Sequence, residues 1–397
     1  MPNVDFRLPI ASVVALLLLS RLRRRDRQRR DKNGYPASSK NYAGVNAEAS
    51  TILKWTSRCS DTVDTSIYAV YNPFSRFMII DKEKHCVGIS CLGVILAVSI
   101  LPVVYGARGA DGLRFFPGRK VGTVESSLIN ECSGIAASRK NPGVLWVHND
   151  DGPPCVYAVS PQGKHLGTYN LDGVRMRDWE DISVGPGPEP NVDYLYVGAI
   201  GDNSSKRKSI EVYRVPEPAV VQPFDTTQGG QSSPQVDANQ AGAIVKVGGV
   251  ETIELVYPDG PRDAETLLVD PLTRDLYIIS KEEPSRVYRA AYPQLITGKT
   301  TLEYVARMPW GTATGGDISG DGRMIIIRNY FAASVWLRPK DGPLWRAFGN
   351  NECKVPLIVE PQGEAICFDA NGAGYYTTSE HRRQPIYYFP MNRQNGK

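Results

Sequence analysis

The sequence predicts an all-β fold, a β-propeller of five four-stranded blades, and three observations support this prediction. Short apolar runs recur in a fixed order from Glu131 onward. Turns such as SPQG, GDG, PKDG and DANG separate them, as expected for consecutive antiparallel strands. The third run of each copy is aromatic, in VYAV, VYRV, VYRA, VWLR and IYYF, which suits packing between blades.

Five copies of the repeat follow one another, each opening with a small or acidic residue and an apolar one. Their first two strands are SGIAAS and VLWVHND, WEDISV and YLYVGAIGDN, AETLLVD and DLYIISKE, GGDISG and MIIIRNY, and GEAICFD and GYYTTSEH. KHLGTYNL, VETIELVYP, LEYVARMPW and CKVPLIVE supply fourth strands to four copies. The run FFPGRKVGTVES precedes the first copy and is expected to complete the last blade, since closure removes sheet edges. A six-bladed ring with one degenerate blade is the alternative.

The propeller is predicted to span residues 113–390, with an insertion at 216–249. This insertion is polar and rich in Pro, Gln, Ser and Gly, a composition typical of a surface loop. Residues 1–86 are basic and lack a hydrophobic period, so they are predicted to be disordered. Lys and Arg outnumber Asp and Glu twofold in residues 1–110, whereas acidic residues are in slight excess afterwards. The charge pattern therefore gives no support to a nucleic-acid surface on the folded part.

Residues 87–106 are uncharged and long enough to cross a bilayer as a helix. With the Arg-rich run before them, they are expected to anchor the chain with its C-terminal part outside the cytoplasm. The alternative starts at Met78 and makes the same run the core of a cleaved signal peptide. Both alternatives predict an extracellular or lumenal propeller, either membrane-anchored or secreted.

Two further features suit that compartment. Four cysteines follow the apolar run, and an even number permits two disulfides; the candidates are Cys132, Cys155, Cys353 and Cys367. The alternative is that they are buried thiols in strands. The sequence Asn203-Ser204-Ser205 is a glycosylation sequon, so Asn203 is a predicted glycan site.

Carboxylates are predicted to meet at one mouth of the ring, because in a hairpin the start of one strand lies beside the end of the next. Such a group repels itself unless protons, cationic side chains or a metal intervene, and Ca²⁺ prefers oxygen ligands. We therefore expect a divalent-metal site, most suited to Ca²⁺. Lys281 and Arg328 are alternative sources of counter-charge. The candidate ligands are Glu180, Asp181, Asp202, Asn203, Glu265, Asp317 and Glu364.

Catalysis at this mouth would require a base, for which Asp181 and His148 are the candidates. A histidine at a strand end is more often structural. The sequence contains no CxxC, HExxH or EF-hand spacing, and no P-loop, GxGxxG helix opening or GxSxG elbow. Zinc, EF-hand and nucleotide sites are therefore not indicated.

The run from DWEDISVGPG through LYVGAIGDN, DAETLLVD and GGDISGDG resembles a group of uncharacterised secreted propeller proteins. More distantly, it is similar to the senescence-marker/gluconolactonase propellers and the propeller phytases. The resemblance implies a divalent ion in the channel mouth and, in some members, hydrolysis of lactones or phosphoesters. Glu180 and Glu265 match the acidic strand openings, and Asn149, Asp202 and Asn203 match the second-strand positions. The blade count and the lack of a basic cluster depart from the phytases.

Two function classes follow from these features. In the first, the mouth is a non-catalytic recognition module that binds a metal and an unknown extracellular ligand or small molecule. In the second, it is a metal-dependent hydrolase of a lactone, ester or phosphoester. A glycan on Asn203 would crowd the mouth and favours the first class.

Overall fold

A computed structural model of the chain describes the strands Thr51–Thr56, Ser66–Tyr71 and Met78–Ile80, residues 113–220 and residues 244–393. The chain divides into two units, residues 1–101 and 102–397. In the first unit the three strands form one antiparallel sheet in chain order. They lie within the segment 1–86 for which the sequence predicts disorder, and the rest of that segment lies outside the described residues.

The second unit is a five-bladed β-propeller, which confirms the predicted fold and its five repeats. Each blade has four antiparallel strands in chain order except the last, whose outer strand comes from the N-terminal side; in blades 2 and 3 one further strand, which joins the preceding blade, comes between the third and the fourth. Blade 1 contains Cys132–Ala137, Leu145–Asn149, Cys155–Val159 and His165–Leu171. Blade 2 contains Asp181–Pro186, Asp193–Ala199, Ile210–Pro216 and Glu251–Val256. Blade 3 contains Ala264–Val269, Leu276–Ser280, Arg286–Ala290 and Glu303–Arg307.

Blade 4 contains Gly315–Ile318, Met324–Arg328, Ala333–Leu337 and Cys353–Val355, with a 3₁₀ helix, Leu344–Gly349, before its last strand. Blade 5 contains Gly363–Phe368, Gly374–Ser379 and Pro385–Arg393. Arg119–Thr123 pairs with the first half of Pro385–Arg393, and Leu113–Phe115 pairs with its end. The predicted closure of the ring by the N-terminal strand is therefore confirmed.

Five apolar clusters fill the spaces between neighbouring blades. Aromatic residues of the third strands lie in them with almost no exposure; they are Tyr157, Tyr213, Tyr288, Trp336 and Phe389. The innermost strands of blades 1, 2, 3 and 5 are buried along nearly their whole length, because each is covered on both faces. Each blade thus buries its two faces against its neighbours, which explains why a single four-stranded unit needs the ring.

Two blades carry a fifth strand supplied by a later part of the chain. Ile244–Val247 pairs in parallel with His165–Leu171 on the outer edge of blade 1. Lys299–Thr301 pairs in the same way with Glu251–Val256 on blade 2. The first of these comes from the end of the predicted 216–249 insertion, of which residues 221–243 lie outside the described residues.

No disulfide joins any two of the four candidate cysteines, so that prediction is wrong. Cys132, Cys155 and Cys367 are free thiols. All three are at most 2 % exposed and belong to the apolar cluster between blades 5 and 1. Cys353 lies in blade 4 and packs against the cluster between blades 4 and 5. The three buried thiols, Cys132, Cys155 and Cys367, therefore act as small apolar core side chains.

The predicted membrane run at 87–106 lies outside the described residues. Within the described part of the chain, no helix has the length and apolar character needed to span a bilayer.

Candidate functional site

The start of every first strand lies beside the end of the second strand of the same blade. The pairs are Cys132 with Asn149, Asp181 with Gly198, Ala264 with Ser280, Gly315 with Arg328, and Gly363 with Ser379. These positions share one end of the ring, which we call the mouth.

Three carboxylates meet at the mouth, at the junction of blades 1 and 2. Asp150 follows the second strand of blade 1, and Asp178 and Glu180 precede the first strand of blade 2. One oxygen from each lies within 4.8 Å of the other two. We call this group the acidic trio. Glu180 is the one residue of the predicted ligand set that belongs to it.

Backbone hydrogen bonds fix the segment that carries the trio. The N–H of Trp179 donates to the carbonyl of Asp150 at 3.3 Å, and the N–H of Glu180 donates to the carbonyl of Gly198 at 2.9 Å. The Trp179 indole is fully buried between blades 1 and 2. Because this bulky side chain anchors the middle of the segment, the carboxylates on either side of it are held in place.

Gly201 forms one wall of the acidic trio. A Cβ at this position would collide with the carboxylates of both Asp178 and Glu180. The N–H of Gly201 donates to the Asp178 carbonyl at 3.2 Å. A side chain here would have to displace both carboxylates, so the first residue of the GDN motif leaves room for the acidic trio.

The acidic trio has no conventional partners for its charge. Among the described residues, no donor forms a hydrogen bond or ion pair with the side chains of Asp150, Asp178 or Glu180. Glu180 is nevertheless only 5 % exposed. Buried carboxylates are normally hydrogen-bonded or paired, so an unpartnered Glu180 beside two other carboxylates calls for protons or a cation to offset the repulsion.

The electrostatic environment of the trio favours the protonated forms. Burial, and then Asp178 and Glu364, raise the pKa of Asp150 to about 7. Burial raises the pKa of Glu180 well above its usual range, with Asp150 and Asp178 adding to the effect and Lys281 opposing it. Burial and then Asp263 raise the pKa of Asp178, against Arg207 and Lys281. A divalent cation would remove the repulsion that contributes to these shifts.

Glu364 and Glu380 from blade 5 extend the acidic surface of the mouth. Tyr330 donates its hydroxyl hydrogen to Glu364 Oε1 at 2.9 Å, and the Gln362 amide donates to Glu380. Burial and then Glu364 raise the pKa of Glu380 to about 8. Glu364, a predicted ligand, thus lies in electrostatic reach of Asp150 and Glu180 while bonded to a tyrosine.

Glu265, another predicted ligand, is paired with Lys281 at the mouth. The Lys281 ammonium group forms an ion pair with Glu265 Oε1. The other oxygen of Glu265 is buried and has no hydrogen-bond partner among the described residues. The lysine that the sequence offers as an alternative counter-charge is therefore present at the mouth.

Asp181 and Asp317 serve as acceptors between blades. Asp181 Oδ1 accepts the N–H of Ile182, and its Oδ2 accepts the N–H of Leu267 in blade 3, both at 2.9 Å. Asp317 repeats this arrangement from blade 4 to blade 5, accepting the N–H groups of Ile318 and Phe368. Both aspartates follow the small or acidic openings of their strands, and both join one innermost strand to the next.

The second candidate base, His148, is buried between blades 1 and 2. Its Nδ1 lies 2.9 Å from the carbonyl of Asn149, and its ring packs edge-on against Trp179. Burial lowers the pKa of His148 to about 4 although the Asn149 bond acts in the other direction. The imidazole is therefore neutral near pH 7 and packed against Trp179.

The remaining predicted residues lie in the loop after the second strand of blade 2. Asp202 Oδ2 accepts the N–H of Arg207 at 2.6 Å, and the N–H of Asp202 donates to Asp263 at 2.9 Å. Asn203 is exposed, as a glycan acceptor must be. In blade 1, the side-chain oxygen of Asn149 accepts the N–H groups of Asn130 and Glu131. Asp202 and Asn149 thus shape the loops of the mouth.

The predicted ligand set omits Asp150 and Asp178. Asp178 is two residues before Glu180, but its left-handed backbone, with a φ of 54°, means that the alternation of an extended segment does not place it. Asp150 follows a second strand directly, where the hairpin geometry brings it back to the mouth. Asp178 belongs to the DWED cluster and Asp150 to the HND cluster. The repeats were aligned on one apolar residue of each first strand, and this alignment selected acidic residues within or next to the strands instead.

No protein-family model matches this chain, and no curated protein sequence matches it. The resemblance to secreted propellers and to the gluconolactonase and phytase groups therefore stays a prediction. The class that the structure itself defines is the five-bladed β-propeller.

Proposed function

We propose that this chain is a non-catalytic binding module whose propeller mouth holds a divalent cation, Ca²⁺, at Asp150, Asp178 and Glu180. The observation that supports this proposal most strongly is that the Glu180 carboxylate is buried, has no partner among the described residues and lies beside two further carboxylates. An all-oxygen site of this kind suits Ca²⁺, which accepts carboxylate, carbonyl and water ligands in loose geometry. The cation would order the mouth loops that recognise an extracellular ligand or small molecule.

The same observations favour binding over hydrolysis. Asp181 uses both carboxylate oxygens for backbone N–H groups, and His148 is buried against Trp179 with a lowered pKa. Neither candidate base belongs to the acidic trio. The extracellular or lumenal location, in a membrane-anchored or secreted form, is part of the proposal and is supported by the apolar run at 87–106 and the exposed Asn203.

Unfolding of the purified protein with Ca²⁺ and with a chelator tests the metal site. A cation that binds only the folded state should raise the free energy of unfolding by about 2.7 kcal/mol at a hundredfold excess over Kd. Glu180→Gln should abolish this gain, because it removes the central carboxylate. Asp341→Asn is the matched control: Asp341 is exposed, lies between the third and fourth strands of blade 4 and is outside the trio, so the Ca²⁺ gain of this variant should equal that of the wild type.

Equal unfolding curves with Ca²⁺, with Mg²⁺, with Mn²⁺ and with chelator would contradict the metal site. A Ca²⁺ gain that survives in Glu180→Gln would place the cation elsewhere. Both results are readable without knowing the ligand, because the measurement depends only on the metal.

A further inference from the structure

Arg207 is a buried arginine of the mouth whose charge has no paired carboxylate. It lies in the loop after the second strand of blade 2 and is only 9 % exposed, whereas its neighbours Lys206 and Lys208 are exposed. Within the described part of the chain, its guanidinium group forms no ion pair. Because an arginine side chain stays charged and a buried charge is costly without a partner, the loop holds a positive group that calls for an anion.

Hydrogen bonds fix Arg207 in place and leave one edge of its guanidinium group free. The backbone N–H of Arg207 donates to Asp202 Oδ2, and its Nη1 donates to the carbonyl of Gly201, both at 2.6 Å. Nε and Nη2 are buried and have no hydrogen-bond partner among the described residues. These two atoms form the edge that donates two parallel N–H bonds to a carboxylate or phosphate. The edge best suited to such a group is therefore the one that has no partner.

Gly201 lies between Arg207 and the acidic trio. Its carbonyl accepts Nη1 of Arg207, and a Cβ on the same residue would collide with the carboxylates of Asp178 and Glu180. One residue of the mouth therefore contacts both the arginine and the trio. A ligand bound beside the trio has the free edge of Arg207 within its immediate surroundings.

We propose that the free edge of Arg207 binds an acidic group, a carboxylate or a phosphate, of the ligand that the mouth recognises. The inference deepens the proposed function, on which it rests, because it names the chemistry of the ligand of the same mouth. A group with two charged oxygens accepts from Nε and Nη2 at once, whereas chloride has only one atom to offer. An uncharged ligand would leave the buried guanidinium group without a counter-charge.

An ordered water molecule is the alternative partner for this edge. A water oxygen would accept both N–H groups, as buried waters commonly do for polar groups without protein partners, but it would not neutralise the charge. The two explanations differ in their response to salt. A site for an acidic group makes the free energy of unfolding depend on which anion is present, whereas a water site does not.

Unfolding of the full chain in sodium phosphate, sodium acetate and sodium chloride at equal ionic strength tests this subsite. The protein is first freed of divalent metal on a chelating resin, so the result does not depend on the metal site. Phosphate or acetate should raise the unfolding midpoint above its value in chloride, and the more effective of the two identifies the acidic group. Arg207→Met should weaken this anion's binding about a hundredfold. Phosphate also stabilises proteins by exclusion from their surface, but that contribution is the same in both proteins.

Two further variants separate the free edge from the charge of the loop. Lys208→Met is the matched control, because Lys208 is an exposed cation next to Arg207, and this variant should keep the anion effect. Arg207→Lys keeps the charge without the two-donor edge, so it should weaken anion binding about tenfold. It also decides the matter if Arg207→Met does not fold.

Equal midpoints of the wild type in the three salts would overturn the proposal. Full retention of the anion effect in Arg207→Met or in Arg207→Lys would do the same, since the free edge would then not be the binding group. An equal loss in Lys208→Met would assign the effect to the general charge of the loop and overturn it as well. An anion effect in a protein that shows no Ca²⁺ effect would end the proposed metal site and leave the Arg207 subsite.

Discussion

Glu180 and Asp181 are neighbours in the chain, but their carboxyl groups lie in different regions with different surroundings. Glu180 faces the mouth and has no hydrogen-bond donor among the described residues. Asp181 is fully buried and accepts two backbone N–H groups, one of them from the next blade. The comparison shows that a carboxylate in this ring becomes structural where the neighbouring strand offers N–H groups, and has no partner among the described residues where it does not.

The ion pair between Arg328 and Glu360 is a second case of a buried charge with a partner. Breaking this ion pair should lower the free energy of unfolding more than any of the changes described below. Arg328 is fully buried and donates to Glu360 at 2.9 Å and to the Ala365 carbonyl at 3.2 Å. Glu360→Ala leaves a buried guanidinium group without its counter-charge. We expect a loss of about 4 kcal/mol in the free energy of unfolding, measured in urea.

A double variant, Arg328→Met/Glu360→Leu, is the control for that experiment. It replaces both charges by apolar groups and should recover much of the lost stability. If Glu360→Ala cost less than about 1 kcal/mol, the pair would behave like an exposed ion pair, and the contrast between the two regions would be weaker.

Asp181→Ala should have the next largest effect. The change leaves the buried N–H of Leu267 without its acceptor and removes one connection between blades 2 and 3. We expect a loss of about 3 kcal/mol in the free energy of unfolding, while the stabilisation by Ca²⁺ stays as in the wild type. Asp317→Ala, which breaks the equivalent bond to Phe368, should behave in the same way.

The opposite result for Asp181→Ala would make Asp181 a metal ligand. Unchanged stability without metal, together with loss of the Ca²⁺ gain, would mean that Asp181 is a ligand as the sequence predicts.

The pH dependence of the free energy of unfolding tests the raised pKa values of the carboxyl groups at the mouth. Burial and repulsion raise the pKa of Asp150 to about 7 and that of Glu380 to about 8, whereas the unfolded carboxyl groups titrate near pH 4. The folded protein therefore holds more protons between these values, and in chelator its free energy of unfolding falls as the pH rises from about 4 to about 8.

Solvent screening at the half-exposed mouth limits this loss to about 1 kcal/mol. Saturating Ca²⁺ should flatten the curve, because the metal stabilises the ionised carboxylates. Urea unfolding at a series of pH values measures both curves, and a metal-free stability that rises over this window would contradict the assigned environment.

The smallest effect is expected for Glu180→Gln in the absence of metal. A neutral amide removes the repulsion with Asp150 and Asp178, so the metal-free protein should gain about 0.5 kcal/mol. Thermal unfolding in chelator measures this gain, with Asp341→Asn as the comparison. A loss above about 1 kcal/mol would show that Glu180 has a structural role like that of Asp181.

The repeats were sufficient to predict the blades, because each blade is a local run of consecutive hairpins. They also predicted closure by the strand containing Arg119–Thr123, since the last copy lacked a fourth strand. The site was harder to predict, because Glu180 and Asp181 differ only in the direction of their side chains. Asp178 has a left-handed backbone, with a φ of 54°, so simple alternation does not place it. The thiols were misassigned because pairing depends on distances between blades.

Ring closure also constrains when this protein can fold during its synthesis. Arg119–Thr123 is made before the first blade, whereas its partner Pro385–Arg393 follows all the others. The pairing between Thr123 and Pro385 is thus among the least local contacts of the chain, and such contacts form slowly. Until the last blade leaves the ribosome, the innermost strand of blade 1 lacks its neighbour from blade 5. A nascent chain would therefore expose the thiols of Cys132 and Cys155 until that moment.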